Sequence, residues 1–359
     1  MSSHWVEQPQ APVYEIAGRQ YDIRSPHFAA AIARAHANQQ RPRCACRPEG
    51  IETYVARLND GYVVKRMPDT GNQHAASCPH FEPPADASGL RPLLGTAIRE
   101  DPATGLTTLR LDFSMSRSTR RQAPLPSAQT ASSTARSDQR LTLRNLLLYL
   151  WEQAGLTRWH PGFAGKRPWA TVRHRLLRAA GDKLIGGRPL VDRLYIPEPF
   201  NVEKRDAIAR RRSAAWASIT SGTAGSGQLL LLIGELKQIA PARCNFKAVV
   251  KQVPDLVFII EERLHRQITR RLQPALTMWS SANDIRMMMV GTFALGASDV
   301  PTLVEVMLVP TTLDWIPVEN APEHELVTQL IYQGKSFLKC VRYDANASSI
   351  DSPIVLPLP

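Results

Sequence analysis

Cysteine and long apolar runs are both scarce. The 359-residue chain has 5 Cys, an odd number, and three of them fall between positions 44 and 78. Thiols crowded in this way point to a metal in a reducing compartment more than to a disulfide framework. No apolar run, Leu229 to Ile233 included, approaches the roughly 20 residues of a membrane span. The opening Met1-Ser-Ser-His-Trp-Val-Glu-Gln-Pro has neither the basic n-region nor the apolar h-region of a secretory leader. A soluble cytoplasmic protein with no membrane partner is expected. Acidic residues are outnumbered too, 32 against 44 Lys and Arg, which leaves a formal charge of +12 and a pI near 9.8. That surplus favours an anionic partner, nucleic acid being the commonest. A nucleotide-binding P-loop is missing: Gly222-Thr-Ala-Gly225-Ser-Gly227 is glycine-rich but has no Lys. No Ser-His-Asp or Cys-His pairing stands out. Cys244 and Cys340 read as buried, inert thiols.

What is present is a compact set of soft ligands. Cys44-Ala45-Cys46 is followed after 31 residues by Cys78-Pro79-His80. Between them, Thr53 to Leu58 and Tyr62 to Met67 are β-prone and flank Asn59-Asp60-Gly61, a strong hairpin signal. The hairpin would bring the two pairs together. Cys44, Cys46, Cys78 and His80 then form a tetrahedral N/S shell for Zn²⁺, closed and hence structural. His74 lies outside this motif, as a partner of a ligand or a turn residue. Arg41, Arg43, Arg47, Lys65 and Arg66 surround the unit and are candidate phosphate contacts.

Along the chain, Ser25-Pro26 opens a helix to about Asn38. An alternating strand covers Gly105 to Phe113. Ser114 to Asp138 is Ser-, Thr-, Ala- and Arg-rich with few large apolar residues, and reads as a linker. Leu143, Leu146, Leu147, Leu150 and Ala154 stripe one helix, and Pro168 opens a second to about Ala180. Residues 114–183 hold thirteen Arg and Lys against three Asp and Glu, nearly the whole positive surplus. Lys166, Arg167, Arg173 and Arg175 are therefore candidate nucleic-acid contacts. The long joint between the two helices excludes a helix-turn-helix. Trp151, Trp159 and Trp169 read as core. Further on come a strand-like piece at Leu190 to Phe200 and a helix over Asn201 to Trp216. Strands are expected at 229–237, 256–260, 285–294, 303–309 and 336–343, with one long helix over 262–280 and another over 323–332. The fold class is mixed: a zinc-bound β-hairpin unit (1–113), a linker (114–138), a basic helical module (139–220) and an α/β sheet layer (221–359).

One enzymatic alternative has a sequence basis. Glu235-Leu236-Lys237 at the end of a buried strand resembles the acid–Lys pair of PD-(D/E)xK nucleases, but Asp255 follows it where that pattern wants a preceding acid. The Cys-x-Cys…Cys-x-His spacing itself resembles the SWIM-type zinc finger of transposases and other nucleic-acid systems. Longer blocks resemble an uncharacterised proteobacterial family often found with integrative mobile elements. They include Arg41-Pro-Arg-Cys-Ala-Cys46, Val64-Lys-Arg-Met-Pro-Asp-Thr-Gly71, His74 to Pro84, Leu147 to Trp159, Gly165-Lys-Arg-Pro-Trp169, Leu230 to Lys237 and Phe337-Leu-Lys-Cys-Val-Arg-Tyr343. The resemblance implies a bacterial protein, a short member at its C-terminus, and no particular activity. The expectation is a non-catalytic, zinc-stabilised nucleic-acid-binding protein, with DNA favoured. Its alternatives are a metal-dependent nuclease and a protein-interaction module that docks through the finger.

Overall fold

In the computed structural model the chain is described over residues 11–58, 61–117, 139–220, 227–295, 300–344 and 355–357. The turn residues Asn59-Asp60, most of the expected linker and the Gly222–Gly225 stretch lie outside these. The N-terminal part is a five-stranded sheet with one helix. Its elements are β1 (Val13–Ile16), β2 (Arg19–Asp22), α1 (Phe28–Ala37), β3 (Arg43–Cys44), β4 (Ile51–Leu58) and β5 (Gly61–Arg66), in the order β2-β1-β3-β4-β5. The hairpin forms as the Asp-Gly signal requires, with Leu58 opposite Gly61 and Thr53 opposite Arg66. Phe28, Ala31, Ile32 and Ala35 line the buried face of α1. They pack on Tyr14, Ile16 and Val55 in a core that also takes in Cys44 and Cys78.

Next come β6 (Ile98–Glu100), β7 (Thr107–Leu109), α2 (Leu143–Gln153), α3 (Trp169–Ala180), β8 (Lys183–Ile185), β9 (Leu194–Tyr195) and α4 (Arg205–Thr220). The strand expected over 105–113 shortens to β7, which pairs with β6 and, in parallel, with β8. At the start of α2, Thr142 accepts a hydrogen bond from the Asn145 backbone N–H, an N-cap that the sequence allows. The expected Leu190–Phe200 strand opens as a 3-10 turn, Leu190–Arg193, and only β9 within it is a strand.

The C-terminal part holds β10 (Leu230–Pro241), β11 (Phe246–Val250), β12 (Val257–Ile260), α5 (Glu262–Arg271), α6 (Gln273–Ser281), β13 (Ile285–Leu295), β14 (Pro301–Thr312), α7 (Ala321–Tyr332) and β15 (Phe337–Lys339). Three expectations change here. Strand β11, absent from the sequence reading, completes an antiparallel ladder between β10 and β12. The single helix over 262–280 breaks at Leu272, because Pro274 in the first turn of α6 has no N–H to give the preceding turn. The five strands from β10 to β14 do not lie in an open layer. β10 pairs with β11 on one edge and with β13 on the other, so the sheet closes on itself.

Two large apolar cores meet at this closed sheet. The inward side holds Leu230, Leu232, Leu236, Ala248, Val250, Phe258, Ile260, Met287, Met289 and Phe293. The outward side of β10, β13 and β14 gives Leu231, Ile233, Met288, Val290 and Val309 to a second core with Leu146, Leu147 and Trp151 of α2 and Val172 and Leu176 of α3. The three tryptophans are core residues as expected, and two of them satisfy their indole N–H: Trp151 donates to the Trp315 carbonyl and Trp169 to that of Pro197, both at 2.8 Å.

Candidate metal centre

The pleat of the N-terminal sheet aims Cys44 into its core, opposite Tyr14 on β1 and Ile51 on β4. The chain then turns, with the Ala45 N–H bonded to the Val13 carbonyl, and leaves Cys46 just beyond the end of β3. The β4–β5 hairpin returns the chain to the same end of the sheet. There a 3-10 turn, Gly71–Gln73, hands on to His74, and a tight turn from Ala75 presents Cys78. Gly71 is required: a Cβ there would stand 2.7 Å from Glu82 Cβ, and the Glu82 N–H bonds the Gly71 carbonyl.

These turns bring Cys44, Cys46, His74 and Cys78 together, with one ligand atom from each within 4.8 Å of all the others. Cys44 Sγ is 3.7 Å from Cys78 Sγ, and His74 Nδ1 is 3.3 Å from Cys46 Sγ and 3.7 Å from Cys78 Sγ. A tetrahedron around a metal with Zn–S bonds of about 2.3 Å has edges of about 3.8 Å, close to these separations. His74 is fully buried and its Nε2 has no hydrogen-bond partner, so nothing but the sulfur cluster repays the burial of its ring. Backbone N–H groups of Ala75 and His80 point at the Cys46 and Cys78 sulfurs, at 3.5 and 3.4 Å, and favour thiolates. The four residues could hold a metal ion.

His80, placed in the ligand shell by the Cys-x-His spacing, is not in this group. Its Nε2 is 2.7 Å from the Tyr14 hydroxyl, and its ring centroid lies 5.3 Å from that of His74. Burial pushes His80 down to about 4, and burial with the nearby Cys44 raises Tyr14. Neutral Tyr14 and neutral His80 thus share this hydrogen bond. The short loop after Cys78 turns the ring toward β1, whereas His74, four residues before Cys78, faces the sulfurs. A His-x₃-Cys spacing was the available signal for His74. In the coupled thiol pair, Cys44 is the one that ionises: the hydrogen bond from Cys78 is the largest influence and draws it down to about 4. Cys78 moves up, by that same bond first and burial second.

The candidate phosphate contacts meet different fates. Arg41 pairs with Glu52 at 3.2 Å, and Arg43 donates to the Glu49 and Gly50 carbonyls. Lys65 bonds Asp182, and Arg66 pairs with Glu82 at 2.6 Å and Glu100 at 3.6 Å. Arg167 is buried, donates only to the carbonyls of Leu156, Arg158 and Asp314, and lies 4.4 Å from the Phe163 ring centroid. Burial pushes it down to about 9. Arg173 donates to the Ile196 carbonyl, and Arg175 lies over the Phe163 ring. Arg47 and Lys166 are exposed, and among the described residues their side chains make no such contact. Of the nine Arg and Lys in 139–183, at least six thus tie the fold together: Arg144, Arg158, Arg167, Arg173, Arg175 and Lys183.

The nuclease candidates are held apart. Glu235 is buried and accepts from Lys251 at 3.1 Å, Arg286 at 2.9 Å and Gln252 at 3.3 Å. Lys237 sits at a bulge between Leu236 and Gln238, exposed and away from that cluster's hydrogen bonds. Asp255 pairs instead with Arg205 and Arg212 of α4. Among the described residues, the Cys/His cluster is the one group of three or more Cys, His, Asp or Glu close enough for a shared ion. Cys340 is buried as expected, but Cys244 is exposed, because it lies in the turn between β10 and β11.

A Cys/His cluster on a small sheet, beside a closed β-sheet packed with helices, is the class of structure at hand. The chain belongs to the family described as "Protein of unknown function (DUF1173)", whose model matches residues 14–357. No curated protein and no solved structure matches it. Among the described residues, no helix is long and apolar enough to cross a membrane.

Proposed function

We propose that this chain is a zinc-stabilised, non-catalytic nucleic-acid-binding protein of a bacterial mobile element, with DNA as its favoured ligand. The observation that carries the reading is the formal charge of +12. A surplus of this size raises the local concentration of a polyanion and drives association through counterion release. Three sulfurs and one imidazole nitrogen are the donor set that selects Zn²⁺, and four protein ligands leave no open position for substrate or water. The ion would act as a staple for residues 14–81. In SWIM-type terms, the unit would keep three sulfurs of the finger and take its nitrogen from His74. The clamp of Lys251, Arg286 and Gln252 on Glu235 supports a carboxylate that braces strands rather than one that binds a catalytic metal.

Metal analysis of the purified chain tests the staple: one zinc per chain is expected. Electrophoretic shift with labelled DNA at rising salt tests the binding, which should weaken steeply as salt rises. Binding that ignores salt, or no binding at low salt, rejects the reading. A Mg²⁺-dependent nick of the probe, abolished by Lys237→Ala, would favour the nuclease instead. A partner protein retained by the finger after nuclease treatment would favour the docking module.

A further inference from the structure

The closed sheet has a definite connectivity. Counted from β10 as the first strand, the order is 1-2-3-5-4 and back to 1. Among these five strands every neighbouring pair is antiparallel except the third and fifth, β12 and β14, which are parallel; the two-residue β9 adds in parallel to the start of β10 as a sixth strand. The helical segment α5–α6 falls between the third and fourth strands. The contact between the third and fifth is a single pair, Ile259 with Thr302, so the barrel is partly open there. This is the connectivity of the oligonucleotide/oligosaccharide-binding fold, whose second and third strands and first loop form a ligand face. The fold alone assigns no ligand; the surface of this particular barrel has to do so.

Its two outer halves differ. The first half of β10 is covered, because Leu231 and Ile233 lie in the core shared with α2. The second half, after the bulge, turns a different surface outward. Gln238 stands opposite Val249 and Ala240 opposite Lys247; Lys247 stands opposite Ile259 and Val249 opposite Val257. Their neighbours Ala248, Val250, Phe258 and Ile260 fill the barrel, so by the alternation of a strand Lys247, Val257 and Ile259 face out and stay half-buried, whereas Val249 on the same side is buried. Val257 and Ile259 belong to none of the four apolar cores. Three cations border this apolar strip: Lys237 at the bulge, Arg243 in the first loop and Lys247 on β11. None of the three makes an ion pair or hydrogen bond among the described residues, unlike most of the finger's cations. The one acid between positions 237 and 260, Asp255, is already paired with Arg205 and Arg212.

We infer that this face of β10, β11 and β12 binds single-stranded nucleic acid, with Lys237, Arg243 and Lys247 on the phosphates and Val257 and Ile259 under the bases. An apolar strip can meet base faces only where they are unstacked, which a duplex does not offer, and cations at its border track the backbone. The inference rests on the nucleic-acid reading above and gives it a place and a strand state. The finger then serves as a staple at a distance from the ligand.

The test is fluorescence anisotropy with the full chain, using a labelled oligothymidylate and a labelled duplex of equal length. Wild type should prefer the single strand. The triple variant Lys237→Glu, Arg243→Glu, Lys247→Glu should weaken that binding by about tenfold or more, and lower the slope against log salt by about 2, at roughly 0.7 for each phosphate contact on a single strand. All three positions lack partners in the fold, so metal content and thermal melting should not move. A triple variant that binds oligothymidylate as well as wild type overturns this placement. So does a wild type that prefers duplex, which leaves the general nucleic-acid reading standing. A wild type that binds neither probe overturns both.

Discussion

At the scale of single residues, the cluster turns on which histidine faces the sulfurs. His74 and His80 are both buried or nearly so, six positions apart, and only their orientation separates them. His74→Ala should lose the metal, whereas His80→Ala should retain one ion per chain and loosen only the Tyr14 contact. Metal content after gel filtration and competition with a coloured chelator would measure both, and equal loss in the two variants would contradict the assignment. Glu152 gives a second prediction. Burial pushes its carboxyl from 4.5 to about 8, although the Tyr343 hydroxyl donates to it and opposes the rise. Between these values the folded chain holds a proton that the unfolded chain has released. The stability this contributes is complete below about 4.5 and is lost as pH rises through about 8. Melting temperature should therefore fall across that window in the wild type. Glu152→Gln should flatten the fall, and an unchanged profile would contradict it.

At the scale of elements, close approach in the barrel is set by glycine. A Cβ on Gly291 of β13 would stand 2.6 Å from the Glu305 carbonyl oxygen of β14, and a backbone atom cannot swing aside. Gly291→Ala should cost about 1–3 kcal/mol, read from the midpoint of denaturant unfolding. A loss near zero would mean that the two strands can part. The helices and the hairpin were legible because each carries a local signal. Phe28, Ala31, Ile32 and Ala35 recur at helical spacing, the Asn59-Asp60-Gly61 sequence is a hairpin signal, and Leu146, Leu147 and Leu150 stripe α2. Strand β11 was not legible, because Phe246–Val250 is only five residues long with no clean alternation, and is held as a strand by ladders on both sides. The break at Leu272 could have been read from Pro274; the apolar spacing of Leu264, Ile268, Leu272 and Leu276 ran across it and concealed it.

At the scale of the whole molecule, the cores do not follow the segments that composition suggests. One apolar core joins Leu109, Leu146, Val172, Ile233 and Met288, and so ties together stretches far apart in sequence. The Cys/His sheet keeps a core of its own, from Tyr14 to Cys78. Calorimetry should therefore resolve two transitions. A strong zinc chelator should shift the one that belongs to residues 14–81, by an amount that reflects the order of 10 kcal/mol such sites can supply, and should move the other little. A single transition displaced as a whole would contradict two separate cores.

By itself the sequence determined the donor chemistry of the Cys-rich stretch, the hairpin that closes it and the positive balance of the molecule. These depend on residue type and short spacing alone. The tertiary structure decided the rest. It chose His74 over His80, because ring orientation depends on how the loop after Cys78 packs on Tyr14. It gave Glu235 its three donors and drew Arg66 and Arg167 into the fold, because those partners come from distant segments. It also closed the five strands into a barrel, since a strand's second neighbour is a matter of long-range pairing that no local pattern encodes.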